Sequence, residues 1–166
     1  MKIADLFRLM ENDDHLHSRA LADTGYWGSQ GAGSIFLSRQ TQRFLIAHRS
    51  NAVEQPGTWG TWGGAIDSGE NPEQAARREA IEEAGHDGHL TMVPLFVFRD
   101  KKFQYSNFLA VVDEEFTPAL NWETQGYEWC SYGHWPQPMH FGLKAVLSDP
   151  ASMRTIQKVL AELQPK

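Results

Sequence analysis

The sequence predicts a mixed α/β fold in which one sheet is covered by helices on both faces. Short apolar runs with strand character lie on either side of a capped helix pattern, and two further helix patterns end the chain. Strands before and after a central helix favour one mixed sheet between helical layers. A chain of 166 residues, 41% of them hydrophobic, suits one core, so we predict a single domain over 1–166.

The N-terminal part predicts a helix, a loop and a hairpin. An amphipathic helix is expected at about 2–11, because four apolar residues recur at helical spacing: Ile3, Leu6, Phe7 and Met10. The glycine-rich stretch 25–33 is expected to be a loop that enters the first core strand. Two apolar runs, 34–37 and 44–47, predict a hairpin, and a loop rich in Trp and Gly leads into a short strand at about 60–66.

The central helix carries a start signal and a stop signal. Asn71 is placed as the N-cap, Pro72 at the first helical position and Gln74 at the third. Gly85 follows the last turn. These signals predict a helix from Pro72 to about Ala84.

The rest of the chain predicts three strands and two helices. The strands are expected at 90–98, 103–112 and 127–132. The helices are expected over about 139–163, where Pro150 separates a first helix at 139–147 from a last amphipathic one.

Charge and cysteine content narrow the range of partners. The formal net charge of −6 argues against broad nucleic-acid binding, although an acidic protein still binds a phosphorylated small molecule when metal ions supply positive charge. Cys130 is the single cysteine, so no intrachain disulfide forms, which fits a reducing compartment. There is no signal-peptide pattern, and the longest apolar stretch, 90–98, is too short to span a bilayer. We therefore expect a cytoplasmic protein with no membrane partner, and we leave its oligomeric state open.

Three glutamates share one face of the central helix. Glu79, Glu82 and Glu83 stand at positions i, i+3 and i+4, which lie together on a helix surface. Such carboxylates repel one another unless cations lie between them, and hard divalent ions such as Mg²⁺ prefer oxygen ligands. The plain alternative is a solvated acidic surface. The Gly63-Gly64 pair before the helix favours a site, because backbone without side chains can approach a ligand there.

The residues around these glutamates resemble the signature of the Nudix hydrolase family. Gly64 is followed by five residues and Glu70, and after seven more residues the chain reads Arg78-Glu-Ala-Ile-Glu-Glu-Ala-Gly85. Every glycine and charged position of the signature is matched. Ala80 is a weak match at an apolar position, and His86 departs from the apolar residue expected last. That departure touches the packing of the helix exit and leaves the carboxylates intact.

The resemblance implies a Nudix-type α/β/α sandwich and a metal-dependent hydrolase that cleaves the pyrophosphate linkage of a nucleoside diphosphate derivative. It implies Mg²⁺, with Mn²⁺ as a substitute, held mainly by Glu82 and Glu83 and also by the Gly63 carbonyl. Glu79 is implied as a ligand or as the base that deprotonates water. The family often brings a distal glutamate to the metals; Glu123 is our candidate and Glu128 the reserve.

Other signature positions have a structural meaning. In the resemblance, Glu70 and Arg78 brace the loop against the helix by an ion pair, and Gly64 and Gly85 shape the backbone. A helix-surface pair of Arg78 with Glu82, four residues further on, is the competing interpretation.

Residues outside the signature supply weaker candidates for substrate binding. The cations that could contact phosphate are Arg49, Arg99, Lys101 and Lys102. The aromatic residues that could stack on a nucleobase are Trp59, Trp62, Tyr26 and Trp27. Solvated turns and ordinary packing are the alternatives for each. The residues that lack a metal-ligand or nucleophile pattern are His48, His134, His140 and Cys130.

A nucleoside triphosphate, including a damaged one, is the first substrate expected, and a nucleotide sugar or a dinucleoside polyphosphate comes second. Tyr105 lies near the position of a tyrosine in the dinucleoside-polyphosphate group. The rival class is a Nudix-fold module that senses a nucleotide without turning it over. Such modules often lose box carboxylates, and all of them are present here.

Overall fold

The structure, a computed structural model, describes residues 30–53, 55–100 and 103–165. The helix predicted at 2–11 lies outside this range, as do Tyr26, Trp27, Lys101 and Lys102. Seven strands occur in the described residues: β1 Gln30–Ser38, β2 Phe44–Arg49, β3 Trp59–Gly60, β4 Trp62–Ala65, β5 Leu90–Asp100, β6 Phe103–Val112 and β7 Thr124–Cys130. Three helices accompany them: α1 Pro72–Ala84, α2 Phe141–Ser148 and α3 Pro150–Leu163. The predicted mixed α/β class is confirmed.

The strands form one mixed sheet with β1 at its centre. The main strand order is β3-β2-β1-β6-β5, with β4 paired to β1 and β7 paired to β2. One edge of β1 is shared, because residues 31–34 pair antiparallel with β4 and residues 36–37 pair antiparallel with β2. The other edge of β1 pairs in parallel with β6 along its whole length. The N-terminal half of β1 therefore lies beside β4, and α1 follows β4 in the chain.

The two faces of the sheet carry separate apolar clusters. Alternation along β1 sends Ala32 and Phe36 to the face that α1 covers, here called the α1 face. It sends Ile35 and Leu37 to the face that α2 and α3 cover, here called the α2/α3 face. Both sets are 0–1% exposed, so helices cover the sheet on both sides as predicted.

The best-signalled elements lie where the sequence predicts them. The hairpin is confirmed by the pairing of Phe36 with Leu45 and of Leu37 with Phe44. Helix α1 begins and ends at the predicted residues, and Asn71 and Gln74 form a reciprocal capping box at its start. Gly85 ends the helix in the left-handed conformation, at a φ of 71°.

Three boundary predictions are wrong. Residues 30–33 are strand rather than loop, because β4 and β6 both bond to this stretch of β1. The strand expected at 60–66 is two strands, since β3 pairs with β2 whereas β4 pairs with β1. The last strand runs from Thr124 to Cys130 rather than over 127–132, because its partner β2 is antiparallel to it from Arg49 back to Phe44.

The C-terminal helices cover one face of the sheet. Leu143 and Val146 of α2 and Ile156 of α3 are fully buried in the α2/α3-face cluster. Helix α2 begins at Phe141, two residues after the predicted start, because His140 is its N-cap. Within the described residues, no helix combines the length and the apolar character needed to cross a membrane.

Candidate active site

The C-terminal half of α1 packs its carboxylates against the backbone of β4. Gly64 faces α1, and a Cβ added there would lie 2.6 Å from Glu79 Oε1. The Gly63 N–H donates a hydrogen bond of 2.5 Å to Glu83 Oε2, and Glu83 is only 7% exposed. The two glycines are therefore needed for close approach, since any side chain at Gly64 would occupy the place of the Glu79 carboxylate.

The surroundings of Glu83 and Glu79 disfavour the ionised form of their carboxyl groups when no cation is bound. Burial raises the pKa of Glu83 well above its ordinary value, and the charges of Glu123 and Glu79 raise it further. The bond from Gly63 and the charge of Arg49 act in the opposite direction and do not compensate. Burial also raises the pKa of Glu79, against the opposing effect of Arg78. Three carboxylates thus lie close enough to destabilise one another in a poorly solvated place.

Arg78 bonds to most of the neighbouring acidic groups at once. Its Nε lies 2.9 Å from Glu70 Oε2, and its Nη1 lies 2.8 Å from Glu79 Oε1 and 2.9 Å from Glu82 Oε2. Its Nη2 donates to the Ala65 carbonyl at 2.9 Å, which ties α1 to the end of β4. The ion pair of Arg78 with Glu70 and the helix-surface pair of Arg78 with Glu82 are therefore both present. These bonds raise the pKa of Arg78, that with Glu70 most, and lower the pKa of Glu70.

The carboxylates do not converge on one point. Arg78 draws Glu79 and Glu82 toward itself, and the Glu82 side chain is 59% exposed. Across the part of the chain that the structure describes, no three His, Cys, Asp or Glu side chains are arranged as a ready metal cluster. The donor chemistry nevertheless fits a hard divalent cation, because the buried Glu83 and its acidic neighbours offer oxygen ligands whose repulsion a cation would relieve.

Only one of the two distal candidates lies near the α1 carboxylates. The charge of Glu123 acts on Glu83, and the Glu123 carbonyl accepts a hydrogen bond from the Ser50 N–H at 2.9 Å, which holds this loop at the end of β2. Glu128 pairs with Ile46, whose side chain lies in the α2/α3-face cluster. Directly opposed residues share a face, so Glu128 points away from the α1 carboxylates and is wrong as a reserve.

Two of the predicted stacking residues are not available at the carboxylates, because Trp62 is buried on the α1 face and Trp59 lies on the other face. Trp62 is 1% exposed, and its Nε1 donates to the Leu45 carbonyl at 3.3 Å, so it is a core residue and its assignment to the substrate is wrong. Trp59 packs on the α2/α3 face and stacks on His48, with ring centroids 4.2 Å apart. Burial and sheet face, which local sequence does not reveal, decide both cases.

The two predicted arginines have different surroundings. Arg49 ends β2, and its charge acts on Glu83. Its side chain lies over Gly60, where an added Cβ would be 3.6 Å from Arg49 Cδ. Arg99 is exposed on the edge strand β5, which β6 and β1 separate from β4. Three strand spacings amount to about 14 Å, so the structure does not bring Arg99 to the carboxylates.

Two exposed aromatic residues near the site escaped the sequence analysis. Tyr127 is directly opposite Ala47 on the α1 face and is 38% exposed. Trp122 precedes Glu123, is 46% exposed, and its carbonyl accepts from the Ser50 hydroxyl at 2.7 Å. The only available signal was their position beside Glu123 in the chain, because exposure follows from the sheet register.

His140 and Cys130, which lack a metal-ligand or nucleophile pattern in the sequence, have surroundings that fit a role in the fold. His140 Nδ1 accepts from the Gly142 N–H at 3.0 Å at the start of α2, and burial lowers the pKa of His140 to about 3. Burial raises the pKa of the Cys130 thiol to about 12, which leaves it protonated at neutral pH.

The fold and the signature together define the family. A family model for the NUDIX domain matches residues 29–149 of this chain. The chain therefore belongs to the Nudix family.

Two of the bacterial relatives carry names that refer to the same substrate. The chain is 33% identical over 139 residues to a protein of Mycobacterium tuberculosis named putative 8-oxo-dGTP diphosphatase 3, a match that covers 75% of this chain and 64% of that protein. It is 31% identical over 123 residues to a putative 8-oxo-dGTP diphosphatase of Bacillus subtilis, covering 73% of this chain and 78% of that protein. The match thus spans less than two thirds of the mycobacterial relative's length.

Solved structures share the fold. The Nudix hydrolase RenU of M. smegmatis superposes with a TM-score of 0.59 at 26% identity, covering 82% of this chain and 87% of that one. An Ap4A hydrolase of C. elegans, solved as a binary complex, superposes with a TM-score of 0.55 at 23% identity, covering 80% and 97%. The second likeness concerns the fold alone.

Proposed function

We propose that this protein is a divalent-cation-dependent hydrolase that cleaves within the polyphosphate of a nucleoside triphosphate. Water attacks a phosphorus atom and displaces the bridging oxygen of the anhydride, so that a nucleoside triphosphate gives a nucleoside monophosphate and pyrophosphate. The observation that carries the proposal is the buried Glu83 carboxylate, bonded to Gly63 and crowded by Glu79 and Glu123. A protein with no cation to bind has little reason to bury such a group.

The cation is proposed to be Mg²⁺, with Mn²⁺ as a substitute. The groups that would hold it are the Gly63 carbonyl and the carboxylates of Glu79, Glu82, Glu83 and Glu123. When bound, such a cation neutralises phosphate charge and lowers the pKa of a bound water. Glu79 acts as a ligand or as the base, and the resemblance leaves that choice open.

The protein's own residues supply position and charge around the cation site. Glu70 and Arg78 anchor the loop to the helix, Gly64 admits the Glu79 carboxylate, and Gly85 ends α1 where Ala119 of the next loop packs. Arg49 is proposed to contact a phosphate, because its positive charge already acts on Glu83.

An oxidised purine nucleoside triphosphate is proposed as the preferred substrate. The names of the M. tuberculosis and B. subtilis relatives support this choice, and the exposed rings of Tyr127 and Trp122 beside Glu123 offer surfaces for stacking on a base. A nucleotide sugar and a dinucleoside polyphosphate follow as second choices. The 23% identity to the C. elegans enzyme gives no support to the dinucleoside polyphosphate.

A substrate panel tests the proposal. Purified protein is incubated with Mg²⁺ and equal concentrations of 8-oxo-dGTP, dGTP, the other nucleoside triphosphates, a nucleotide sugar and a dinucleoside polyphosphate, and the products are identified by mass. We expect release of a nucleoside monophosphate and pyrophosphate, fastest with 8-oxo-dGTP, and no product in the presence of EDTA.

Variants at glutamates of one helix distinguish loss of the cation site from a general loss of negative charge. Glu79→Gln and Glu83→Gln are expected to lower the turnover rate roughly 1,000-fold, whereas Glu73→Gln, at an exposed glutamate in the first turn of the same helix, is expected to retain it. Nucleotide binding without turnover by the wild-type protein would instead identify a sensing module. Full activity of Glu83→Gln would show that the cation site is wrongly assigned.

A further inference from the structure

One aromatic ring fills the space left by three glycines beneath the candidate site. Tyr105 of β6 lies against β1 and β4 on the α2/α3 face, the side of the sheet opposite the carboxylates. A Cβ at Gly31 would be 2.7 Å from Tyr105 Cδ2, and one at Gly63 would be 2.5 Å from the Tyr105 hydroxyl oxygen. A Cβ at Gly33 would also collide with that hydroxyl. Real Cβ atoms are not found this close, so the ring depends on Gly31 and Gly33. At Gly63 an added Cβ would meet the Ala32 carbonyl oxygen and Gly33 Cα of β1 as well as the Tyr105 hydroxyl.

The hydroxyl of Tyr105 lies beside the same short segment. It is close to the side chain of Thr61, two residues before Gly63. Burial raises the pKa of Tyr105, which keeps the hydroxyl protonated. The Tyr105 side chain therefore contacts the segment that contains Gly63 through its hydroxyl, which also lies beside Thr61 at the start of that segment.

The peptide between Gly63 and Gly64 is consequently held from both sides of the sheet. On the α1 face Glu83 accepts the Gly63 N–H, and the Glu79 carboxylate lies against Gly64. On the opposite face the Tyr105 hydroxyl lies against Gly63, and the ring lies against Gly31 and Gly33 of the paired strand β1. Glycine backbone has more conformational freedom than any other, and β4 is only four residues long, so this segment has little stiffness of its own.

We propose that Tyr105 is a positioning residue that fixes the Gly63 peptide in the place where Glu83 and a cation can use it. Removal of the ring would leave an open volume under three glycines, and the Gly63 N–H would no longer be held toward Glu83. The effect on the Gly63 amide follows from geometry alone, whereas the effect on a cation rests on the function proposed above.

Hydrogen exchange at the Gly63 amide tests the positioning directly. In the full chain without metal, Tyr105→Leu is expected to speed native-state exchange of this amide by about tenfold or more relative to amides at the centre of β1. Tyr105→Phe, which keeps the ring against Gly31 and Gly33 and loses the hydroxyl beside Gly63, is expected to have a smaller effect in the same direction. Unchanged exchange in Tyr105→Leu would overturn the proposal; if that variant does not fold, unchanged exchange in Tyr105→Phe would do so.

Tyr132→Leu is the matched control for loss of a tyrosine. Tyr132 packs on the same face against Phe44 and Trp135, and its hydroxyl accepts from Gln157 at 3.2 Å. This variant is expected to lower the melting temperature without a selective change at Gly63. An equal selective increase at Gly63 in Tyr132→Leu would show that Tyr105 has no special role.

Mn²⁺ affinity, measured by electron paramagnetic resonance without substrate, provides the second readout. We expect Tyr105→Leu to weaken binding by about tenfold or more and Tyr132→Leu to leave it unchanged, since groups that orient metal ligands typically have effects of that size. Wild-type protein that binds no Mn²⁺ would contradict the proposed function, and the exchange at Gly63 would still decide the role of Tyr105.

Discussion

Glu83 combines burial, a backbone donor and two acidic neighbours. A carboxylate in this position costs free energy in the absence of a cation, because desolvation and the charges of Glu79 and Glu123 all disfavour its ionised form. The Gly63 N–H offsets only part of that cost. This position suits a residue that binds a ligand, and it lowers the stability of the metal-free protein.

Glu83→Gln is accordingly expected to separate stability from activity. The amide keeps an oxygen acceptor for Gly63 and removes the charge, so the melting temperature in EDTA is expected to equal or exceed that of the wild type. The rate of nucleotide hydrolysis is expected to fall roughly 1,000-fold, because a ligand of the cation site is lost. Thermal denaturation and initial rates measure the two effects, and a variant less stable than wild type in EDTA would contradict this account of Glu83.

The sequence predicted the grouping of the carboxylates better than it predicted which aromatic residues are exposed. Glu79, Glu82 and Glu83 lie within five consecutive residues of α1, and a helix places them on one face without help from distant residues. Trp62 and Tyr127 both lie on the α1 face, but one is 1% and the other 38% exposed, a difference that depends on strands far away in the chain. A sequence therefore identifies which aromatic residues exist but not which of them can meet a ligand.

Helix α1 is delimited by local chemistry at both ends. The Asn71 side chain accepts from the Gln74 N–H at 2.8 Å, and the Gln74 side chain accepts from the Asn71 N–H at 2.9 Å. Two backbone donors that the first turn would leave unpaired are thereby satisfied. The cap thus fixes where α1 begins, whereas its buried alanines, which pack on the sheet, set the direction in which Glu79 and Glu83 point.

Asn71→Ala is expected to lower the free energy of unfolding by about 1 kcal/mol, because the N-cap acceptor is lost. Urea denaturation measures the change. Asn71→Ser retains an acceptor and is expected to cost only a few tenths of that amount. Equal losses in the two variants would show that the capping bond does not contribute.

Helix α2 begins at a histidine that folding keeps neutral. Burial lowers the pKa of His140 to about 3 from the ordinary 6.5, and the charge of Arg49 acts in the same direction. Below pH 6.5 the unfolded chain takes up a proton that the folded chain does not, so stability falls as the pH falls toward 3. His140 is expected to contribute about 2 kcal/mol of this loss by pH 5.

His140→Asn tests this linkage, since asparagine is a good N-cap that carries no charge. Urea denaturation at pH 7 and pH 5 is expected to show a loss of stability about 2 kcal/mol smaller in His140→Asn than in the wild type. His134→Asn, at an exposed histidine of the preceding loop, serves as the control. The same pH dependence in His140→Asn and wild type would exclude His140 as the titrating group.

At the scale of the whole molecule, a site shared by α1, β4 and the loop before β7 should couple cation binding to global stability. Mg²⁺ or Mn²⁺ that binds only the folded chain is expected to raise the free energy of unfolding by about 2.7 kcal/mol at a free concentration of 100 times Kd. Thermal denaturation with increasing metal measures the shift, and EDTA should reverse it. The double variant Glu79→Gln/Glu83→Gln should show none, and an equal shift in that variant would place the binding elsewhere.

Caps, hydrophobic period and the glutamate spacing act over a few residues, so the class of fold, helix α1 and the acidic face of that helix could be read before the chain was folded. The split of residues 59–65 into two strands, the strand at Gly31 and Gly33, and the contrast between Glu123 and Glu128 could not. Each of these depends on pairing between segments that lie far apart in the chain, and hydrogen bonding and burial across the sheet outweigh local preference there. The pairing of β1 with both β4 and β6, with Tyr105 against the glycines of β1 and β4, is the clearest case, because it becomes visible only when three strands lie side by side.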